Sequence, residues 1–547
     1  MILWLSALAA ASIAAAPPAE APKPAPTTTA APAAATPLEP EPPVRTGPNA
    51  FFSPTEVKTK GSVRISDRNI PYRAVAGTIV VHAKDWSDTD WIEAKAATKK
   101  DDDGPKPEAS MFYVAYFRDG VPTANRPITF LFNGGPGSSS VWLHMGAFGP
   151  MRVETRDPGH TPAPYSLVSN DKSLLDVSDL VFIDAPGAGF SRIAGKEKEK
   201  AFFGVDQDID AFAQFITTFL SQYRRWGSPK YVMGESYGTM RGAGLALALQ
   251  GRDVDLNGLI LLSDILNWDL VPDDPKLNPS IDLAYVVALP TYAATAWYHN
   301  RIQRSAGSLQ DYLAEVERFA TTEYLAALVK GNDLPPDERQ RMAERLSAMT
   351  GLSVPYLLKT DLRIAYGAFQ RELFGVANQT AGTLDTRYVG ATIDPIGKLA
   401  DYDPQSVALS AAYVGAYNDY VRTTLRYGDG IEFKSGIPIY ESWDYRHKPP
   451  GAERALIALP NVLPDLAVAM KQNPAMKVMV HGGYYDISTP YFAGKFELRH
   501  LPVPPELQRN IDYHYYEAGH MIFAHPPSFA ALRANIGSFI ERTSGAR

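Results

Sequence analysis

The stretch Lys230-Tyr-Val-Met-Gly-Glu-Ser-Tyr-Gly-Thr-Met-Arg241 constrains the fold of this chain more than any other. A short apolar run, Tyr231-Val232-Met233, breaks at Gly234-Glu235-Ser236-Tyr237-Gly238 and resumes as an Ala/Leu/Gly-rich segment of helical character from Ala243 to Leu249. Strand, tight turn and helix with G-x-S-x-G at the turn set a serine hydroxyl at the mouth of a sheet. Both glycines are expected to be required, because in so sharp a turn a Cβ at Gly234 or Gly238 meets neighbouring backbone. An ordinary strand-to-helix turn is the competing reading, and the five residues alone do not separate the two.

The flanking chain supplies the sheet. Segments 63–65, 73–82, 111–117 and 128–132 are rich in Val, Ile, Tyr and Phe and read as strands. The interval 94–108, with its charge run Lys99-Lys100-Asp101-Asp102-Asp103, reads as an exposed hairpin loop whose charges are solvated surface. Residues 180–184 form another strand. Apolar residues at helical spacing, Ile209, Phe212, Phe215, Ile216 and Phe219, mark a crossover helix over 205–225. With the strand 259–262 this alternation implies a mainly parallel central sheet covered by helices on both faces, an α/β architecture.

Between 267 and 430 the pattern changes to helices, over 281–303, 308–329, 337–349 and 354–374, and strand candidates vanish. The segment reads as a helical insertion lying over the active edge of the sheet; a separate helical domain is the alternative, and the tyrosine-rich piece 402–427 does not decide between them. The strand pattern returns at 477–480 and 511–516, with helices over 491–500 and 528–542. The chain thus divides into a first core segment 51–266, the insertion 267–430 and a second core segment 431–547.

A serine hydroxyl becomes a nucleophile when a base removes its proton and a carboxylate orients that base. On parallel sheets these groups follow strand ends in the order Ser, Asp, His. Ser236, Asp486, after the strand ending near His481, and His520, in the turn after Tyr516, meet that order. Asp264, after the strand 259–262, competes as the acid. His481, His500, His514 and His525 compete as the base, each with the plain reading of a packed or solvated histidine. The glycine-dense turn Asn133-Gly-Gly-Pro-Gly-Ser-Ser-Ser140 follows strand 128–132 and can bring backbone N–H groups close to a ligand. It lacks the Lys of a phosphate-binding loop. Neither H-E-x-x-H nor any cysteine is present, so no thiolate metal site is expected.

Four separated motifs together resemble the serine carboxypeptidases, which are α/β-hydrolases with a helical insertion: Asn133-Gly-Gly-Pro-Gly-Ser-Ser-Ser140, Asp184-Ala-Pro-Gly-Ala-Gly-Phe-Ser191, Gly234-Glu-Ser-Tyr-Gly238 and Ala518-Gly-His-Met521. The resemblance implies an α/β-hydrolase fold with a lid-like insertion, and peptide substrates cleaved at the C-terminal residue without a cofactor. It further implies Ser236 as nucleophile, His520 as general base and acid, and Asp486 as its partner. Gly135 and Tyr237 would supply the oxyanion-hole N–H groups, and Asn133 and Glu235 would bind the substrate's terminal carboxylate. Three positions depart from the family pattern: Ser138 replaces a usual cysteine, Ala147 a usual acidic residue, and Leu131 a usual tryptophan. They leave the hydrolytic residues whole and bear on carboxylate recognition. An esterase or acyltransferase on the same three residues is the nearest alternative, and a catalytically silent peptide-binding protein the more distant one.

Composition narrows the setting. A chain of 547 residues with 45% hydrophobic and 21% charged residues can bury a large core, and its net charge of -7 disfavours nucleic acid or an anionic membrane as partner. Residues 1–19 begin with an apolar run too short to span a bilayer and read as a signal peptide, although no Lys or Arg precedes it. Eleven prolines between Pro17 and Pro48 make residues 20–50 an extended tether. Export to the periplasm or outside the cell is expected, with no membrane span in the mature chain.

Overall fold

The computed structural model describes residues 51–84, 86, 106–123, 126–271, 279–304, 307–456 and 459–545. The leader and tether readings, and the charge run at 99–103, fall outside them. The strands in chain order are β1 (Glu56–Ile65), β2 (Arg68–His82), β3 (Glu108–Arg118), β4 (Ile128–Phe132), β5 (Met151–Val153), β6 (Leu167–Ser169), β7 (Asp179–Ile183), β8 (Arg192–Ala194), β9 (Lys230–Glu235), β10 (Gly258–Leu262), β11 (Gln379–Ala381), β12 (Val389–Ala391), β13 (Lys477–Gly483) and β14 (Ile511–Tyr516). The main sheet has the order β1-β2-β3-β7-β4-β9-β10-β13-β14, with β8 on β3. β1, β2, β3 and β7 pair antiparallel, and from β7 through β14 every pairing is parallel.

Each residue of β4, β7, β9 and β10 is buried, which is why these strands read as unbroken apolar runs. Alternate side chains feed opposite faces. Phe130, Phe132, Val232, Leu259 and Leu261 meet helices Val205–Gln222, Tyr237–Gln250 and Leu463–Gln472. Leu131, Tyr231, Met233 and Ile260 meet helices Pro404–Thr423 and Pro526–Thr543. This is the mainly parallel, doubly covered sheet of the α/β-hydrolase class, and its carboxyl ends carry the turns of interest.

The insertion between β10 and β13 builds a third apolar cluster from helices Leu283–Tyr298, Leu309–Phe319, Pro336–Thr350, Val354–Lys359 and Tyr366–Glu372. Tyr484, Tyr485 and Ile487, beside Asp486, belong to the same cluster, so the insertion packs on the turn after β13. Three of its expected features are corrected. The helix expected over 354–374 is two helices, because Asp361 and Leu362 both take left-handed backbone angles (φ 53° and 65°). The helix expected over 308–329 widens into a π turn at Ala320–Tyr324. Strand candidates do not vanish either: β11 and β12 pair as a short antiparallel ribbon. The tyrosine-rich segment enters the sheet core, where Tyr417 and Tyr420 surround His144. Among the described residues no helix is long and apolar enough to cross a membrane.

Candidate active site

Ser236 sits at the end of β9 with φ 85° and ψ −124°, a strained conformation for a residue with a side chain. Its N–H is held by Leu262 O at 3.1 Å, and its carbonyl accepts the Thr239 hydroxyl at 2.6 Å. Ser236 is half-buried between buried neighbours, so it is the point at which the turn reaches the surface. A Cβ on Gly234 would lie 2.0 Å from Gly238 O, which explains that glycine. The expectation for Gly238 is corrected: a Cβ there meets nothing closer than Phe132 O at 3.1 Å, a tight contact rather than a collision.

The expected acid and base, Asp486 and His520, follow adjacent parallel strands. Asp486, fully buried, accepts the N–H groups of Ser488 (2.9 Å) and Thr489 (3.0 Å) on one oxygen. The Thr489 hydroxyl (2.7 Å) and His520 Nδ1 (2.6 Å) meet the other. With Nδ1–H donating to a carboxylate, the remaining lone pair of the neutral ring lies on Nε2. The backbone of His520 is fixed at both ends, its N–H to Leu384 O at 2.6 Å and its carbonyl by the Ser263 hydroxyl at 2.8 Å. No hydrogen bond joins the Ser236 hydroxyl to His520 among the described residues; Nε2 instead lies 3.6 Å from Glu235 Oε1. Such contacts commonly tighten only when substrate is bound.

Asn133 and Glu235 meet directly. Asn133 Nδ2 donates to Glu235 Oε2 at 2.9 Å, and Asn133 Oδ1 accepts the Leu143 N–H at 3.1 Å. Both side chains are buried. Burial lifts the Glu235 carboxyl above its ordinary range, against the nearby His520 and Asn133. Burial pulls His520 down, but Asp486 and Glu235 outweigh it and push the imidazole up to about 9. The two shifts depend on one another. A proton on Glu235 removes part of the charge that supports the imidazolium.

The loop after β4 lies against the serine turn, since a Cβ on Gly134 would stand 2.4 Å from the Tyr237 nitrogen. The N–H groups of Gly135 and Tyr237 donate to no other protein group among the described residues, so both are available to a ligand. Ala147, where an acid would stand in the resembled pattern, is fully buried among Phe148 and other apolar residues.

The competitors are engaged elsewhere. Asp264 is buried against the helix Tyr491–Arg499, with burial lifting it to about 7, and makes no bond to His520. His481 bonds to Tyr516, His525 to Ser528 and His500 to Phe496 O, while His514 stacks on His481. Sequence reasoning missed Arg241, which pairs with buried Asp208 (2.7 Å), donates to Asn133 O (2.8 Å) and lies over Phe212. Its signal was one cation in an otherwise Ala/Gly/Leu helix. Thr489 and Ser263 carried no signal. Among the described residues no cluster of three or more His, Asp or Glu side chains can hold a metal.

The serine carboxypeptidase family model matches residues 102–256. A curated relative, serine carboxypeptidase-like 50 of Arabidopsis thaliana, is 24% identical over 62% of this chain and 70% of its own length. Serine carboxypeptidase-like 36 of the same plant is 27% identical over 31% of this chain; the match spans about a third of its length, 34%. Solved structures that align include a lipase in its open form (13% identity, 80% of this chain, 96% of that one, TM-score 0.31). A carboxyl esterase from Bacillus coagulans aligns similarly (12% identity, 80% and 95%, TM-score 0.31). The chain is thus similar to the serine carboxypeptidases, and the matched segment 102–256 carries three of the four motifs, those at 133–140, 184–191 and 234–238.

Proposed function

We propose that this relative of the serine carboxypeptidases is a serine-type hydrolase that removes C-terminal residues from peptides through an acyl-enzyme. The observation that carries the reading is the Asn133–Glu235 contact at 2.9 Å, with the other Glu235 oxygen 3.6 Å from His520 Nε2. It supports a site where a terminal carboxylate is held next to the base.

In this reading the Ser236 hydroxyl attacks the carbonyl of the last peptide bond and His520 Nε2 takes its proton. Asp486 holds the imidazolium by its Nδ1–H. The N–H groups of Tyr237 and Gly135 receive the developing oxyanion, aimed before the charge forms. The imidazolium then protonates the leaving amine, and water activated by His520 releases the acyl group. Glu235 accepts from Asn133 on one oxygen, so a protonated Glu235 can donate from the other to the substrate carboxylate, whereas an ionised one repels it. Carboxylate binding therefore weakens as pH rises and Glu235 ionises.

The test is release of the terminal amino acid from an N-blocked dipeptide with a free carboxylate, against its C-terminal amide, from pH 4 to 8, with Ser236→Ala as control. Preference for the acid at low pH, abolished in the variant, supports the reading. Equal turnover of acid and amide, or action on esters alone, overturns the exopeptidase assignment. It would favour an esterase or acyltransferase on the same residues, the reading to which the buried Ala147 points.

A further inference from the structure

Residues 383–387, in the insertion and far from either turn in sequence, are hydrogen-bonded to both the acid turn and the base turn. Thr383 O accepts the N–H groups of Ile487 and Ser488, each at 3.2 Å, and the Thr386 N–H donates to Tyr485 O at 2.9 Å. On the other side Leu384 O accepts the His520 N–H at 2.6 Å, and the Asp385 carboxylate accepts the Gly519 N–H at 3.1 Å. One short strap thus spans the two turns whose separation sets the 2.6 Å bond between Asp486 and His520.

Asp385 is the only side chain in that set of contacts, and it is built as a rigid acceptor. It is fully buried, and a Cβ on Gly519 would lie 2.3 Å from its own Cβ, so the base turn is pressed flat against it. Burial lifts its carboxyl, and the adjacent Arg387 opposes that lift. Arg387 reaches Asp385 through Nε (3.0 Å) and Nη2 (2.7 Å), and forks onto Asp157 at 3.1 and 2.8 Å. Gln405 adds a contact at 3.3 Å. The strap is anchored in turn by Asp403, which accepts the Thr383 and Leu384 N–H groups (2.6 and 3.0 Å) and caps helix Pro404–Thr423. A planar guanidinium with both of its forks occupied leaves the Asp385 oxygen little freedom to move.

We propose that Asp385 is a positioning residue: locked by Arg387 and Asp157, it sets through Gly519 where the His520 imidazole stands relative to Asp486 and Ser236. It touches no substrate. The inference rests on the reading of Ser236, His520 and Asp486 as one hydrolytic unit. A displacement of the base of about 1 Å is enough to slow such chemistry about 100-fold.

The test is the rate at which a fluorophosphonate modifies Ser236. In that reaction the serine oxygen displaces fluoride at phosphorus while its proton passes to His520. Asp385→Ala is expected to slow labelling about 100-fold, and the isosteric Asp385→Asn, which keeps an oxygen for Gly519 but loses the ion pair, about tenfold. The downfield proton signal of the His520 Nδ1–H should shift or broaden in both, while near-ultraviolet circular dichroism stays native. That signal is what a merely structural role would leave in place. Wild-type labelling rates and an unchanged proton signal in the folded variants overturn the proposal. If Asp385→Ala does not fold, the Asn variant decides alone, slower labelling with a shifted signal supporting the role and a wild-type rate rejecting it. Wild-type protein that is not labelled, or labelling that survives Ser236→Ala, fails differently: it removes the hydrolytic reading itself and this inference with it.

Discussion

His520 and His447 are alike in their electrostatic surroundings. Each is buried, each has a carboxylate oxygen 2.6 Å from Nδ1, and in each the carboxylates outweigh burial and push the imidazole up to about 9. They differ at Nε2. In His447 it is also taken, by Asp465 at 2.8 Å, so the ring is spanned by Asp206 and Asp465 and ties helix Val205–Gln222 to helix Leu463–Gln472. In His520 the same nitrogen faces Glu235 at 3.6 Å, beside Ser236. A perturbed histidine alone therefore identifies no site, since ion pairs that only hold a fold perturb it equally. A ring with one nitrogen oriented and the other left open can move a proton; a ring with both nitrogens saturated is a strut.

The sharpest way to break this comparison is to spoil each histidine's carboxylate separately. Asp486→Asn should lower kcat for the blocked dipeptide about 10,000-fold, because Nδ1 loses its charged acceptor and the ring is no longer held in the productive tautomer. The folded state should survive, with circular dichroism as the check. A loss under tenfold would mean that Asp486 does not serve the reaction.

His447→Gln should do the opposite, leaving kcat within about twofold and lowering stability by about 2 kcal/mol at pH 6. The sign follows from the raised pKa. The charged imidazole stabilises the fold fully below its unfolded value near 6.5, and that stabilisation is lost as pH rises toward about 9. Urea midpoints of wild type and variant should therefore converge at pH 9.5. A constant gap from pH 6 to 9.5 would assign the loss to packing instead.

Glu235→Gln refines the open side of His520. Where Glu235 is ionised its charge, 3.6 Å from Nε2, favours the imidazolium, so with an ester substrate that does not use the Glu235 proton the acid limb of kcat/KM should move to lower pH by about one unit. The rise of KM with pH on free-acid peptides should flatten, since glutamine donates at every pH. An acid limb that does not move would separate Glu235 from the base.

What could be read from the residues follows from how local each feature is. The strands β4, β7, β9 and β10 are legible because burial on both faces demands continuous apolar runs, and the serine turn because Gly234 has backbone where a Cβ would stand. The order Ser236, Asp486, His520 is legible because parallel strands deliver their carboxyl ends to one edge. The break at Asp361 and Leu362 was not, since neither residue advertises a left-handed backbone. Nor was the strap at 383–387, whose bond from Asp385 to Gly519 spans 134 residues and leaves no periodic trace. The His447 bridge is no more legible, its partners lying 241 and 18 residues away.

The central claim is that Ser236 becomes acylated with His520 as its base, and trapping the acyl-enzyme tests it most directly. The protein would be mixed with an excess of a p-nitrophenyl ester, quenched in acid within the first turnovers, and mapped by peptide mass spectrometry. The account requires a single acyl adduct, on the peptide carrying Ser236, formed with a burst of p-nitrophenol and absent from His520→Ala. Turnover without an adduct at Ser236, or an adduct that forms as fast without His520, would contradict it.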